Sequence, residues 1–112
     1  MLLDHRTYTC RPGTLRKQLA LYEENGWAAQ TEHLGLPFAY LVTETGDVNV
    51  YVHIWMYEDA ADRARRRAAM QADPRWAAFR ERSAEAGYLM RQENRLMTPV
   101  AFAPAPVRAS AS

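Results

Sequence analysis

The sequence contains a single cysteine, Cys10, in 112 residues, so no internal disulfide can staple the chain. That fits a reducing compartment, and a cytoplasmic location is expected. An excess of charge of one sign is also missing. Fourteen Lys and Arg against 13 Asp and Glu leave a formal net charge of +1, which argues against general nucleic-acid binding. No apolar run approaches the roughly 18–20 residues that a membrane span needs, and the opening Met-Leu-Leu-Asp-His-Arg is not a secretory signal. His5, His33 and His53 show no H-x-H or H-x-x-x-H spacing and no cysteine pair beside them, so no metal site is expected. There is no glycine-rich phosphate loop and no serine nucleophile elbow.

What is present suits one soluble globular domain: 48% hydrophobic and 24% charged residues. A chain of this length buries about two-thirds of its unfolded surface, enough for a core without staples. The domain is expected over residues 1–100. Residues 101–112 form an Ala/Pro/Ser tail in which Pro104 and Pro106 favour extended, unpaired backbone, and it is expected to be disordered.

The pattern along the domain predicts seven elements. Leu2 to Arg11 is a strand stopped by Pro12-Gly13. A helix follows over about residues 14–34, with Leu15, Leu19, Tyr22, Gly26, Ala29 and His33 on one buried face and Gly35 as its stop. Phe38 to Thr45 is a second strand, and Gly46-Asp47 a turn. The third strand, Val48 to Tyr57, alternates most clearly. Val50, Val52, Ile54 and Met56 point one way, and Tyr51, His53, Trp55 and Tyr57 the other. Asp59 caps the next helix with Asp62 in a capping-box arrangement, and Asp59–Arg63 and Asp62–Arg66 are spaced as i,i+4 pairs. Asp73-Pro74 restarts a helix that buries Trp76, Phe79 and Ser83 and ends near Gly87. Leu89 to Met97 is the last strand, closed by Pro99.

This order is the βαββαβ pattern of a ferredoxin-like α+β unit with its second helix broken in two. Right-handed crossovers place strands one and three in the centre of a four-stranded antiparallel sheet. The helices can cover only one sheet face, and strand three carries large side chains on both. Its pattern does not decide which side the helices take. The face left bare needs a partner, so a homodimer with its sheets face to face is expected.

Four blocks carry a family resemblance. Arg6-Thr7-Tyr8-Thr9 with Pro12-Gly13-Thr14-Leu15 resembles the opening of the NIPSNAP family, and Asn49 to Asp59 resembles its central strand and helix start. Asp73-Pro74-Arg75-Trp76 and Gln92-Glu93-Asn94-Arg95-Leu96-Met97 resemble its later blocks, in the same order across roughly residues 3 to 99. Cys10 stands where an aliphatic residue is common, and the tail is extra. The resemblance implies a dimeric α/β-barrel fold, shared with cofactor-independent monooxygenases, muconolactone isomerases, polyketide cyclases and haem-degrading oxygenases. It also implies a pocket between sheet and helices. The reaction does not follow from the fold.

Several residues can serve such a pocket, each with a plainer alternative. His53 shares a strand face with Trp55 and can act as an acid/base group, or merely be hydrogen-bonded within a dimer core. His33 can line a pocket mouth or sit favourably at a helix C-terminus. Arg6 and Tyr8 share a face suited to an anionic or phenolic substrate, although Arg6 can equally pair with Glu93 or Asp4. Tyr40 can stack on a substrate. Asn94, with Gln92, can contact a ligand if turned inward, or belong to a charged edge strand. Arg63, Arg65, Arg66 and Arg67 read as a solvated helix face. The leading expectation is a small homodimeric enzyme without a cofactor, acting on an aromatic or polyketide-like molecule. A non-catalytic ligand-binding or scaffold protein is one alternative, and a haem-binding oxygenase with His33 or His53 as axial ligand is the other. No nucleic-acid or membrane partner is expected.

Overall fold

The computed structural model describes residues 1–109. Along the chain come β1 (Leu2–Cys10), α1 (Leu15–Asn25), α2 (Trp27–Leu34), β2 (Ala39–Val42), β3 (Val50–Tyr57), α3 (Ala60–Gln71), α4 (Pro74–Ala86) and β4 (Leu89–Met97). The strands form one antiparallel sheet in the order β2-β3-β1-β4, the α+β arrangement with strands one and three central. No helix among the described residues is long and apolar enough to cross a membrane. Residues 110–112 of the expected disordered tail lie outside the described residues. Within its described part, Arg108 donates from Nη2 to the Met56 carbonyl at 2.6 Å.

Register decides the two faces of the sheet. Tyr51, His53 and Trp55 of β3 stand opposite Tyr8, Arg6 and Asp4 of β1, while Gln92 and Asn94 of β4 continue beside Tyr8 and Arg6. Tyr40 of β2 lies beside His53. The helices cover this side: Leu34 of α2 and Met70 of α3 pack with Trp55 and Tyr57 in one buried cluster. The opposite side presents Thr7 and Thr9, Val50, Val52 and Ile54, and Leu41.

The two aspartate caps form as the spacing requires. Asp59 accepts from the Asp62 backbone N–H at 2.7 Å, and the Asp62 carboxylate accepts from the Glu58 N–H at 3.0 Å. Asp73 accepts from the Arg75 N–H at 2.8 Å, with Pro74 in the first helical turn. Asp62 meets Arg66 at 2.8 Å, but Arg63 turns inward to Asp4 rather than to Asp59.

Three expectations are corrected. The single helix over residues 14–34 is two helices meeting at Gly26, where a Cβ would stand 2.8 Å from the Tyr22 ring and 3.1 Å from that of Phe79. Only glycine lets α4 come this close. The inward row of α1 is Thr14, Gln18 and Tyr22, all buried, while Leu15 and Leu19 are half-buried, because the space beneath α1 is polar and Gln18 reaches across it to Ser83 at 3.4 Å. The second and third strands are also shorter than expected: Gly46, at φ +124°, and an Asp47 side chain accepting from the Asn49 N–H open a wider loop between them.

Candidate functional site

The site grows from the alternation of β1. Asp4 is completely buried and accepts from Arg6 at 3.1 Å, from Arg63 at 3.2 Å and from Asn94 at 3.0 Å. Burial opposes ionisation of Asp4, but the Asn94 hydrogen bond and the two guanidinium groups outweigh it and hold the carboxyl below its usual range. Arg6, anchored this way, donates from Nε to the Tyr8 hydroxyl at 3.2 Å.

One residue pair over, His53 is 3% exposed. The Trp55 indole N–H donates to His53 Nδ1 at 2.6 Å, and Tyr40 stacks on the imidazole with centroids 4.7 Å apart. Tyr8 meets the ring edge-on at 4.8 Å. Burial first, and the Arg6 charge second, push the imidazole down to about 3, so it is neutral at physiological pH. An indole N–H can only donate. Nδ1 is therefore the acceptor nitrogen, and the ring hydrogen sits on Nε2. That buried Nε2 has no partner among the described residues.

Between sheet and helices lies a cavity of about 320 Å³ lined by Arg6, Tyr8 and His53 from the sheet, among others. Tyr22 and Gln18 of α1, and Trp76, Phe79 and Arg80 of α4, form part of its roof, while Arg67 of α3 borders it. Burial drives the Tyr22 and Tyr51 phenols far above their ordinary range, so both remain neutral donors. The Tyr22 hydroxyl donates to Gln30. Gln18 donates to Ser83 through its amide nitrogen, while its buried Oε1 has no partner among the described residues.

The structure thus brings His53, Arg6 and Tyr8 together on one cavity. Trp55 and Tyr40 stand behind, holding the His53 ring. Asn94 and His33 do not line the cavity. Asn94 is engaged with Asp4, and His33 meets Asp73 at 2.9 Å on the outside of α2, beside Glu32. Glu32, His33 and Asp73 lie close enough to share a cation, but the Arg75 guanidinium already bonds both carboxylates. Those bonds, Arg75 before His33, draw the Asp73 carboxyl well below its ordinary range.

Sequence reasoning missed the buried role of Asp4 and the cavity positions of Arg67 and Arg80. Asp4 has the same strand parity as Arg6 and Tyr8, and Arg67 is one helical turn from buried Met70. Arg80 is one turn from Trp76. Those spacings were the available signals.

The NIPSNAP family model matches residues 3–104. A NIPSNAP family protein of unknown function from Agrobacterium tumefaciens is 36% identical, with 93% of this chain and 92% of that one aligned at a TM-score of 0.83. An uncharacterized NIPSNAP domain protein from Burkholderia xenovorans is 32% identical over 94% of this chain and 100% of that one, at a TM-score of 0.85. A structure described as antibiotic biosynthesis monooxygenase shares the fold at a TM-score of 0.60 and 20% identity, over 89% of this chain and 99% of that one. No curated protein matches.

Proposed function

The chain belongs to the NIPSNAP family, and from that premise we propose that it is a small homodimeric enzyme needing no cofactor, acting on an aromatic or polyketide-like molecule in the cavity under the helices. The observation that carries this reading is His53: a neutral imidazole, locked by Trp55, whose Nε2–H is buried beside an aromatic-lined cavity without a partner. A buried donor left unpaired costs about 1–3 kcal/mol, so a ligand oxygen at that atom is stabilising. A hydrogen bond aimed at a carbonyl or enol oxygen strengthens as negative charge develops there. The Tyr8 hydroxyl, whose oxygen accepts from Arg6, keeps its own hydrogen free to donate beside it. Together these donors favour a charged enolate- or phenolate-like state, as monooxygenation, isomerisation or cyclisation of such a molecule requires.

The second protomer covers the open sheet face, where Val50, Val52 and Ile54 are half-buried and Leu41 is 53% exposed. On that face the edge strand β4 carries Arg91 beside Glu93, a sign pattern complementary to its own two-fold copy.

The test is incubation in air with phenolic and enolisable polyketide-like compounds, with products read by mass. Gain of oxygen marks a monooxygenase, unchanged mass with altered retention an isomerase, and loss of water a cyclase. His53→Gln is expected to lower turnover by about 10²-fold or more while the protein stays folded. Compounds that bind and return unchanged would make the protein a ligand-binding module instead.

A further inference from the structure

The cavity has a charge bias beyond what His53 supplies. Three arginines line it, Arg6, Arg67 and Arg80, and no carboxylate does. Arg6 is answered by Asp4 behind it. Neither Arg67 nor the exposed Arg80 has an ion pair among the described residues; the nearest polar group to act on Arg67 is the neutral Tyr57 hydroxyl, which carries no balancing charge. Arg67 is half-buried, where a guanidinium without a carboxylate partner lacks part of its hydration. The cavity also contains one buried acceptor with no partner, Gln18 Oε1, besides the donor His53 Nε2.

From these groups we infer that the cavity selects a small planar organic anion bearing a hydroxyl, of the hydroxy-aromatic carboxylate or phenolate class. Its charged oxygens are held by Arg67 and Arg80, and its hydroxyl accepts from the His53 Nε2–H and donates to Gln18 Oε1. A guanidinium grips a carboxylate through paired N–H donors, which gives direction as well as charge. The planar part suits the ring walls: Tyr51 and His53 lie within 17° of parallel on the floor, and Phe79 closes the roof. The inference rests on the reading of the cavity as the substrate site, and adds the charge and shape of what enters.

Calorimetric titration of the whole protein with 4-hydroxybenzoate, its neutral isostere 4-hydroxybenzamide, and cyclohexanecarboxylate tests it. The hydroxybenzoate is expected to bind at least about tenfold more tightly than the amide, a difference of 1.4 kcal/mol, and more tightly than the non-planar acid. In Arg67→Gln the preference for acid over amide is expected to fall towards unity, with an unchanged urea midpoint showing that the variant remains folded. Acid and amide binding equally to the wild type would overturn the anion inference and leave the cavity reading standing. Failure of all three to bind at millimolar concentration would overturn both. Nitrogen-15 NMR adds an independent arm: His53 is expected to show a pyridine-type Nδ1 and a pyrrole-type Nε2, and the reverse assignment would remove the donor the inference needs.

Discussion

On the covered face of the sheet lie a carboxylate, a guanidinium, an imidazole and four tyrosines: Asp4, Arg6, His53, Tyr8, Tyr40, Tyr51 and Tyr57. The open face of the same strands holds Val50, Val52, Ile54, Thr7 and Thr9. The usual arrangement, polar outside and apolar inside, is thus partly inverted within one protomer. Buried polar groups are tolerated where each has a partner or where a ligand will supply one. Aliphatic side chains on a bare sheet are tolerated where a second surface covers them. On the function proposed above, the difference separates chemistry from assembly: one face for binding, the other for association.

Substitutions should divide along the same line. The largest effect is expected from Asp4→Ala, which takes from the Arg6 and Arg63 guanidinium groups and the Asn94 amide the one buried carboxylate they share. Loss of one member of a buried ion network costs about 3–5 kcal/mol, read as a lower denaturation midpoint in urea. Because the folded-state Asp4 carboxyl lies below its ordinary range, its contribution is present above about pH 4 and is lost as pH falls through the depressed folded value. The variant should accordingly show a shallower acid limb than the parent.

His53 sharpens the comparison through pH in a different window. Its ordinary value is near 6.5 and the folded one about 3, so below 6.5 the unfolded chain binds a proton that the native state refuses. Stability is expected to fall by up to about 1.4 kcal/mol per pH unit on acidification from about 6.5 towards 3. His53→Gln should flatten that slope in urea titrations at pH 7, 6 and 5. An unchanged slope would mean that the imidazole is not buried and neutral.

A smaller loss, about 1–3 kcal/mol, is expected for Gly26→Ala, since the new methyl meets the Tyr22 and Phe79 rings that roof the cavity. The smallest effect on protomer stability is expected for Val52→Lys on the open face, within about 1 kcal/mol. That variant should sediment as a monomer at micromolar concentration where the parent is expected to sediment as a dimer, and should retain the parent's response to the aromatic probes. A monomeric parent would break the division between the two faces.

Much of this was legible along the chain. The alternation of residues 48–57 identified the third strand and placed His53 with Trp55, and parity placed Arg6 with Tyr8. Asp59 and Asp73 announced their helices because a cap is a contact among near neighbours. The break at Gly26 was not legible, because one of the two rings packed against that glycine, Phe79, lies on α4 more than fifty positions away along the chain. Arg67 read as one of several solvated arginines, and its neighbour in sequence, Arg66, does pair with Asp62 nearer the surface. Asn94 had the right parity for the covered face, but its amide answers Asp4. His33 met an aspartate from another helix, a pairing that spacing within α2 cannot express.

Local and topological rules were sufficient for the succession of strands and helical segments apart from the break at Gly26, for the two aspartate caps and for the order of strands, since each depends on residues a few positions apart or on the handedness of short connections. Which side of β3 became the cavity floor depended on where the helices came to rest. Side chains large enough to bury occurred on both sides of that strand, and only long-range packing could choose between them. The same packing set Arg67 and Arg80 on the cavity lining, because what a helix face meets is defined by what it lands on.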